Sequence, residues 1–123
     1  MLTDEYFRKA EHDISQCPYV VEFHTSKDKR SLHIGIIEGR IIFIDGSALC
    51  FVEFVNVKEL VEKYKYSYNY QDKDGKMLFR YDMAPHHRNL KTFPHHKHLE
   101  SGEIINAFEP DLKSILEEIS TYI

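Results

Sequence analysis

From Leu32 to Met83 the chain repeats one pattern, stretches of β-branched and aromatic residues broken by short turn-forming clusters, and this pattern predicts an antiparallel meander. In LHIGIIEGRIIFID (32–45) both alternating faces are largely apolar, which predicts a central strand covered on both sides, with Gly35 and Gly39 as bends. DGS at 45–47 supplies a tight turn, and ALCFVEFVNV answers as the antiparallel partner. VEKYKYSYNYQ follows, then DKDG as a second hairpin turn, then KMLFRYDM. Upstream, YVVEF predicts a short strand and SKDKR the exposed turn after it.

Helical signals bracket this meander. Thr3 is placed to cap a helix whose first turn carries Asp4 and Glu5, with Leu2, Tyr6, Phe7, Ala10 and Ile14 on one face and Leu2 and Phe7 spaced as a staple. That helix must stop before Pro18. At the other end Pro110 suits a first helical position, and Leu112, Ile115, Leu116, Ile119 and Ile123 form one apolar stripe. The expected fold is a single α+β domain over residues 1–123, an antiparallel sheet flanked by N- and C-terminal helices.

Several function classes are disfavoured at once. Cys17 and Cys50 stand far apart with no CxxC spacing, so neither a disulfide framework nor a thiolate zinc site is indicated. The start, MLTDEYFRKAEHD, is charged and no apolar run approaches the ~18 residues needed to span a bilayer, so a cytoplasmic protein with no membrane partner is expected. A net charge of −4 argues against a wholly basic nucleic-acid binder. Yet from Lys76 to His98 five cations (Lys76, Arg80, Arg88, Lys91, Lys97) face one anion, Asp82, a local balance of +4 with histidines neutral.

Four places in the sequence carry chemistry. In KYKYSYNY a period of two puts Tyr64, Tyr66, Tyr68 and Tyr70 on one face, a stacking platform for unpaired bases or, by the favoured reading, a face packed on the terminal helices. Glu53 shares its face with Leu49, Phe51, Val55 and Val57, so it must find a cation or hydrogen bonds there or have its pKa raised by desolvation, and a catalytic acid, an edge carboxylate reached by water and a structural ion pair all fit the pattern. Arg80 and Asp82 project together from the last meander strand. Beyond them, PHHRNLKTFPHHKH (85–98) holds five of the eight histidines and reads as one loop folded back on itself.

Three uses of that loop compete. Imidazoles that titrate near neutrality suit cleavage of RNA through its own 2′-hydroxyl: one histidine as base, another as acid, with Arg80, Arg88 or Lys97 balancing charge on phosphoryl oxygens. Alternatively His96, His98 and one of His86 or His87 hold zinc or another divalent transition metal, with Asp82 or Glu53 in reserve. A purely structural role is the third. The surrounding cations repel a metal ion and welcome phosphate, so metal-free acid/base work is favoured and no cofactor is expected.

The segments RYDMAPHHRNLKTFPHHKH, DGSALCFVEF and KYSYNYQDKDGKMLFRYD resemble the TumE family of small toxins from prokaryotic toxin-antitoxin pairs. The resemblance covers roughly residues 40–110 and carries over onto Glu53, Tyr66, Tyr68, Arg80, Tyr81, Asp82, His86, His87, Pro94, His95, His96 and His98. It implies a toxin neutralised by a helix-turn-helix antitoxin encoded beside it. Taken with the side-chain chemistry, the expected catalytic groups are Glu53, Asp82, His86, His96 and His98. Arg80, Arg88 and Lys97 are the phosphate binders, and Tyr66, Tyr68, Tyr81, His87 and His95 the supporting groups. The expected function is an endoribonuclease toxin acting without metal, possible alternatives being a metal-binding hydrolase or metal-holding protein and a non-enzymatic interaction protein. A homodimer paired at a sheet edge is also expected.

Overall fold

The turns that join the paired strands have left-handed positions that glycine fills without strain, Gly46 (φ 84°) in DGS and Gly75 (φ 86°) in DKDG. In the second turn Asp72 Oδ1 accepts from the backbone N–H groups of Asp74 and Lys76, both at 2.9 Å. The computed structural model describes residues 1–83 and 90–123. Helix α1 (Thr3–Ser15) leads into seven strands, β1 (Val20–Lys29), β2 (Ile34–Phe43), β3 (Ala48–Asn56), β4 (Glu62–Gln71), β5 (Met77–Met83), β6 (His95–Leu99) and β7 (Ile104–Asn106), and α2 (Leu112–Ser120) follows. The strands form one antiparallel sheet in sequence order. This is the expected α+β meander.

Alternation along the strands divides the sheet into two unlike faces. Ile37, Ile41, Phe43, Leu49, Phe51, Val55, Tyr66, Tyr68, Tyr70 and Phe79 join Tyr6, Phe7, Ala10 and Ile14 of α1 and Leu112, Ile115, Leu116 and Ile119 of α2 in one apolar core. Both helices therefore lie on the same face. The opposite face is bare of helix among the described residues, and β2 is correspondingly buried on one side only, not on both as its composition suggests. β2 looks like a two-sided strand because Ile34, Ile36 and Ile42 sit half-buried on the open face.

Other boundaries move for identifiable reasons. SKDKR is not a turn: its first four residues continue β1, whose ladder with β2 runs to Lys29↔Gly35. Thr3 lies inside α1 with its hydroxyl donated to Ser31 O at 2.8 Å, so Leu2 takes the cap position and the Glu5 carboxylate accepts from its backbone N–H. Asp111, not Pro110, precedes α2, accepting from Ser114 N at 2.8 Å. Ile123 falls beyond the helix and leaves the stripe, 36% exposed. The histidine-rich segment is not one loop either, since residues 95–99 form β6 and a seventh strand follows.

Gly35 and Gly39 are not bends. The β2 ladders run unbroken through both, and their missing side chains make room for neighbours. A Cβ at Gly35 would stand 2.5 Å from Thr3 Cγ2 and 2.8 Å from Phe7 Cζ. Gly35→Ala is expected to push α1 off the sheet and cost about 1–3 kcal/mol, measured as a lower urea midpoint at an unchanged m-value.

Candidate functional site

Because β5 and β6 pair with Arg80 opposite His98 and Asp82 opposite His96, the alternation of both strands delivers all four side chains to the open face. His95 and Lys97, out of phase by one residue, go to the helix-covered face. At the cluster's centre Asp82 Oδ2 meets Arg80 Nε at 2.9 Å, while Oδ1 lies 2.5 Å from His96 Nε2 and 3.5 Å from His98 Nε2. The two imidazole rings meet edge to face, centroids 5.0 Å apart. His96 is 1% exposed and its Nδ1 stands 3.3 Å from Pro94 O, whereas His98 keeps 26% exposure.

Two protonation facts bear on this cluster. Burial lowers the His98 pKa, the Asp82 charge opposing that fall and the charges of His96 and Arg80 adding to it. A neutral His98 at neutral pH can accept a proton or ligate a cation. The ligand-capable atoms of Asp82, His96 and His98 all lie within 4.8 Å of one another, so these three residues could also hold a metal ion.

The other expected site residues are placed elsewhere. Glu53, fully buried, lies on the helix-covered face opposite Tyr66, away from Asp82. It accepts from Tyr6 Oη at 2.6 Å and from Tyr68 Oη, and Lys63 Nζ stands 3.5 Å away. Burial raises the pKa of Tyr6 and of Tyr68, and the Glu53 charge raises both further, so both phenols remain donors. Lys63 also donates to Tyr68 Oη at 2.8 Å and to Pro110 O at 2.6 Å. Glu53 is thus a buried group held by Lys63 and two phenols on the helix-covered face, apart from the Asp82 cluster.

Lys97 does not join the phosphate-binding set. It lies over the rings of Phe79 and Tyr81 and pairs with Glu118 at 2.8 Å. Burial works against its charge, but the Glu118 and Tyr81 contacts together outweigh this and raise its pKa. Tyr81 donates to the same glutamate at 2.5 Å. Tyr66, Tyr68 and Tyr70 are buried under the helices, so the favoured packing reading of the tyrosine row holds for them. His95 packs in that layer, its ring stacked on Tyr66 and its Nδ1 3.0 Å from Tyr66 Oη. His86, His87 and Arg88 lie outside the described residues.

Two things escaped the sequence. Register brings Ser67 beside Asp82 and Asn106 beside His96 on the open face, and only the strand pairing reveals those neighbours. Lys63 was missed because the β3–β4 register shifts between Phe54 and Val55, leaving Tyr64 as an extra residue and turning Lys63 inward. A regular alternation would have put Tyr64 there.

A family model described as Toxin TumE matches residues 10–123. No curated protein and no solved structure matches the chain.

Two measurements check these assignments. Glu53→Leu strands the Lys63 charge in the core and is expected to destabilise by about 3–5 kcal/mol, most of it recovered when Lys63→Met is added, as read by urea unfolding. His98 binds its proton less readily folded than unfolded, so its stability contribution is full above the unfolded pKa of about 6.5 and is lost as pH falls below it. Histidine NMR titration should give a His98 midpoint below that value, and His98→Gln should flatten the acid-side loss of stability.

Proposed function

The chain belongs to the TumE toxin family, which implies an antitoxin as its partner, and from that premise we propose that it disables RNA as an endoribonuclease using the histidines of β6. The reading is carried by one observation: Asp82 gathers Arg80, His96 and His98 on the open face of the sheet, with His98 partly exposed beside a guanidinium. Such a set has the base and the oxyanion partner that internal transesterification of RNA needs. His98, kept neutral, takes the 2′-hydroxyl proton, and the freed oxygen forms a bond to the adjacent phosphorus as the bond to the 5′-oxygen breaks. Arg80 balances charge on the phosphoryl oxygens. His96, sealed from solvent, is a positioning residue that with Asp82 fixes the ring of His98. The proton returned to the leaving 5′-oxygen is assigned to His86, which lies outside the described residues. The products are a 2′,3′-cyclic phosphate and a 5′-hydroxyl, and no metal takes part.

A second reading rests on the same atoms. Asp82 Oδ1 and the Nε2 atoms of His96 and His98 converge closely enough to ligate zinc or another divalent transition metal. In that case the protein is a metal-dependent hydrolase or a metal-holding protein. Arg80 counts against it, because its charge sits on the other oxygen of the same carboxylate. The antitoxin is taken to be a helix-turn-helix protein encoded nearby, the site of action the cytoplasm, and the active form a homodimer.

Purified protein incubated with RNA and excess chelator should release fragments ending in 2′,3′-cyclic phosphate, and His98→Ala should slow this roughly 10²- to 10⁴-fold. The rate should rise with pH through the lowered His98 midpoint and fall again at higher pH as the general acid loses its proton. Cleavage seen only after a divalent ion is added, together with about one metal per chain by elemental analysis, transfers the assignment to the metal reading. Undiminished toxicity of a folded His96→Ala/His98→Ala double variant rejects both in favour of a docking protein.

A further inference from the structure

Resting on the RNA-cleaving reading above, we infer that the open face of the sheet is a binding platform for single-stranded RNA, with the Phe54–Tyr64 aromatic pair receiving a base beside the Asp82 cluster. The β3–β4 bulge makes this pair. By turning Tyr64 out of the buried row, it sets the phenol against Phe54 edge to face, centroids 5.2 Å apart and planes at 86°. Asn56 Nδ2 donates to Tyr64 Oη at 2.9 Å and fixes the ring, which stays 42% exposed. A rigid aromatic on a face without helices is what an unpaired base needs to stack on, whereas a base already paired in a duplex offers no free face.

Cations flank the aromatic pair and the cluster on this face, which also carries the exposed Glu38 opposite Val52. Lys65 pairs across the ladder with Phe54, and Arg40 lies opposite Cys50, its Nη1 donating to Cys50 Sγ at 3.3 Å. Both cations are exposed, and neither forms an ion pair among the described residues. Arg80 lies in the same cross-strand row as Arg40, connected through Cys50 and Asn69, so the two backbones are three strand spacings apart, about 14–15 Å. Lys65 is two residues from Ser67, about 7 Å along the strand, and Ser67 pairs directly with Asp82. The aromatic pair, the three cations and the acid/base cluster therefore occupy one continuous surface. The buried Tyr66, Tyr68 and Tyr70 cannot serve this role.

The test is fluorescence anisotropy with a short, unstructured, 5′-labelled RNA whose 2′-oxygens are methylated so that it cannot be cut. Contacts from Arg40, Lys65 and Arg80 predict that log Kobs falls with log salt at a slope of about −2, and Lys65→Ala should flatten that slope by about 0.7. Tyr64→Ala should weaken binding roughly tenfold, and Tyr64→Phe should restore it. Platform variants that bind the methylated RNA as tightly as the unsubstituted protein overturn the inference. It is also overturned if Tyr64→Ala and Lys65→Ala abolish antitoxin binding while RNA affinity holds, which gives the face to the antitoxin. If the variants lose RNA binding as expected but unmethylated RNA is never cut, the platform stands and the cleavage reading falls.

Discussion

The buried ion pair between Glu53 and Lys63 governs how the rest of this molecule is arranged. Taking two charges into an apolar core is costly, and attraction alone seldom offsets it unless the remaining donors and acceptors are also matched. Here they are: Tyr6 brings in α1, Tyr68 comes from β4, and Pro110 O comes from the segment leading to α2. One polar knot thus binds both helices to the same face of the sheet. Removing either charged partner leaves the other without its counter-charge in the core, so the knot specifies the arrangement even if an apolar substitute for the whole would be as stable.

A one-sided sheet has a chemical consequence. The core strands present half their side chains to helices and half to an open face, so phase decides which groups meet. His96 and His98 share the open face with Arg80 and Asp82, while His95 and Lys97 are carried into the helix layer by the same alternation. Lys97 shows how strictly this acts. It neighbours two site histidines in sequence, yet its ammonium holds α2 through Glu118, as does the Tyr81 hydroxyl. A one-residue slip of β6 would exchange the two sets.

Most of the architecture was legible because it rests on local signals. The DGS and DKDG turns, the alternating strands and the apolar stripes of the helices all announce themselves within a few residues. The pairing of Arg80 with Asp82, and of His96 with His98 on one side, followed from the same period. What was not legible depends on register. Nothing near Lys63 signals the bulge that turns it inward, and a carboxylate among Leu49, Phe51, Val55 and Val57 looks equally like a catalytic acid or a structural one until Lys63 is seen beside it. The strand character of the HHKH segment was hidden for another reason. Prolines and paired histidines are weak β formers by composition, and it is the exposed ladder of β5 that recruits them.

The same bulge joins the stability of the core to the chemistry of the surface. An extra residue in one strand of an antiparallel pair increases local twist and redirects side chains. Here it exchanges Lys63 for Tyr64 at the inner face, so the core receives the counter-charge for Glu53 and the open face receives a ring that would otherwise have been buried with Tyr66, Tyr68 and Tyr70. Restoring regular pairing would fail on both sides at once. Glu53 would be left among apolar groups, and the surface next to Asp82 would lose its aromatic. A charge-matched core and an aromatic on the open face therefore depend on a single backbone irregularity, which ties the composition of the tyrosine strand to both.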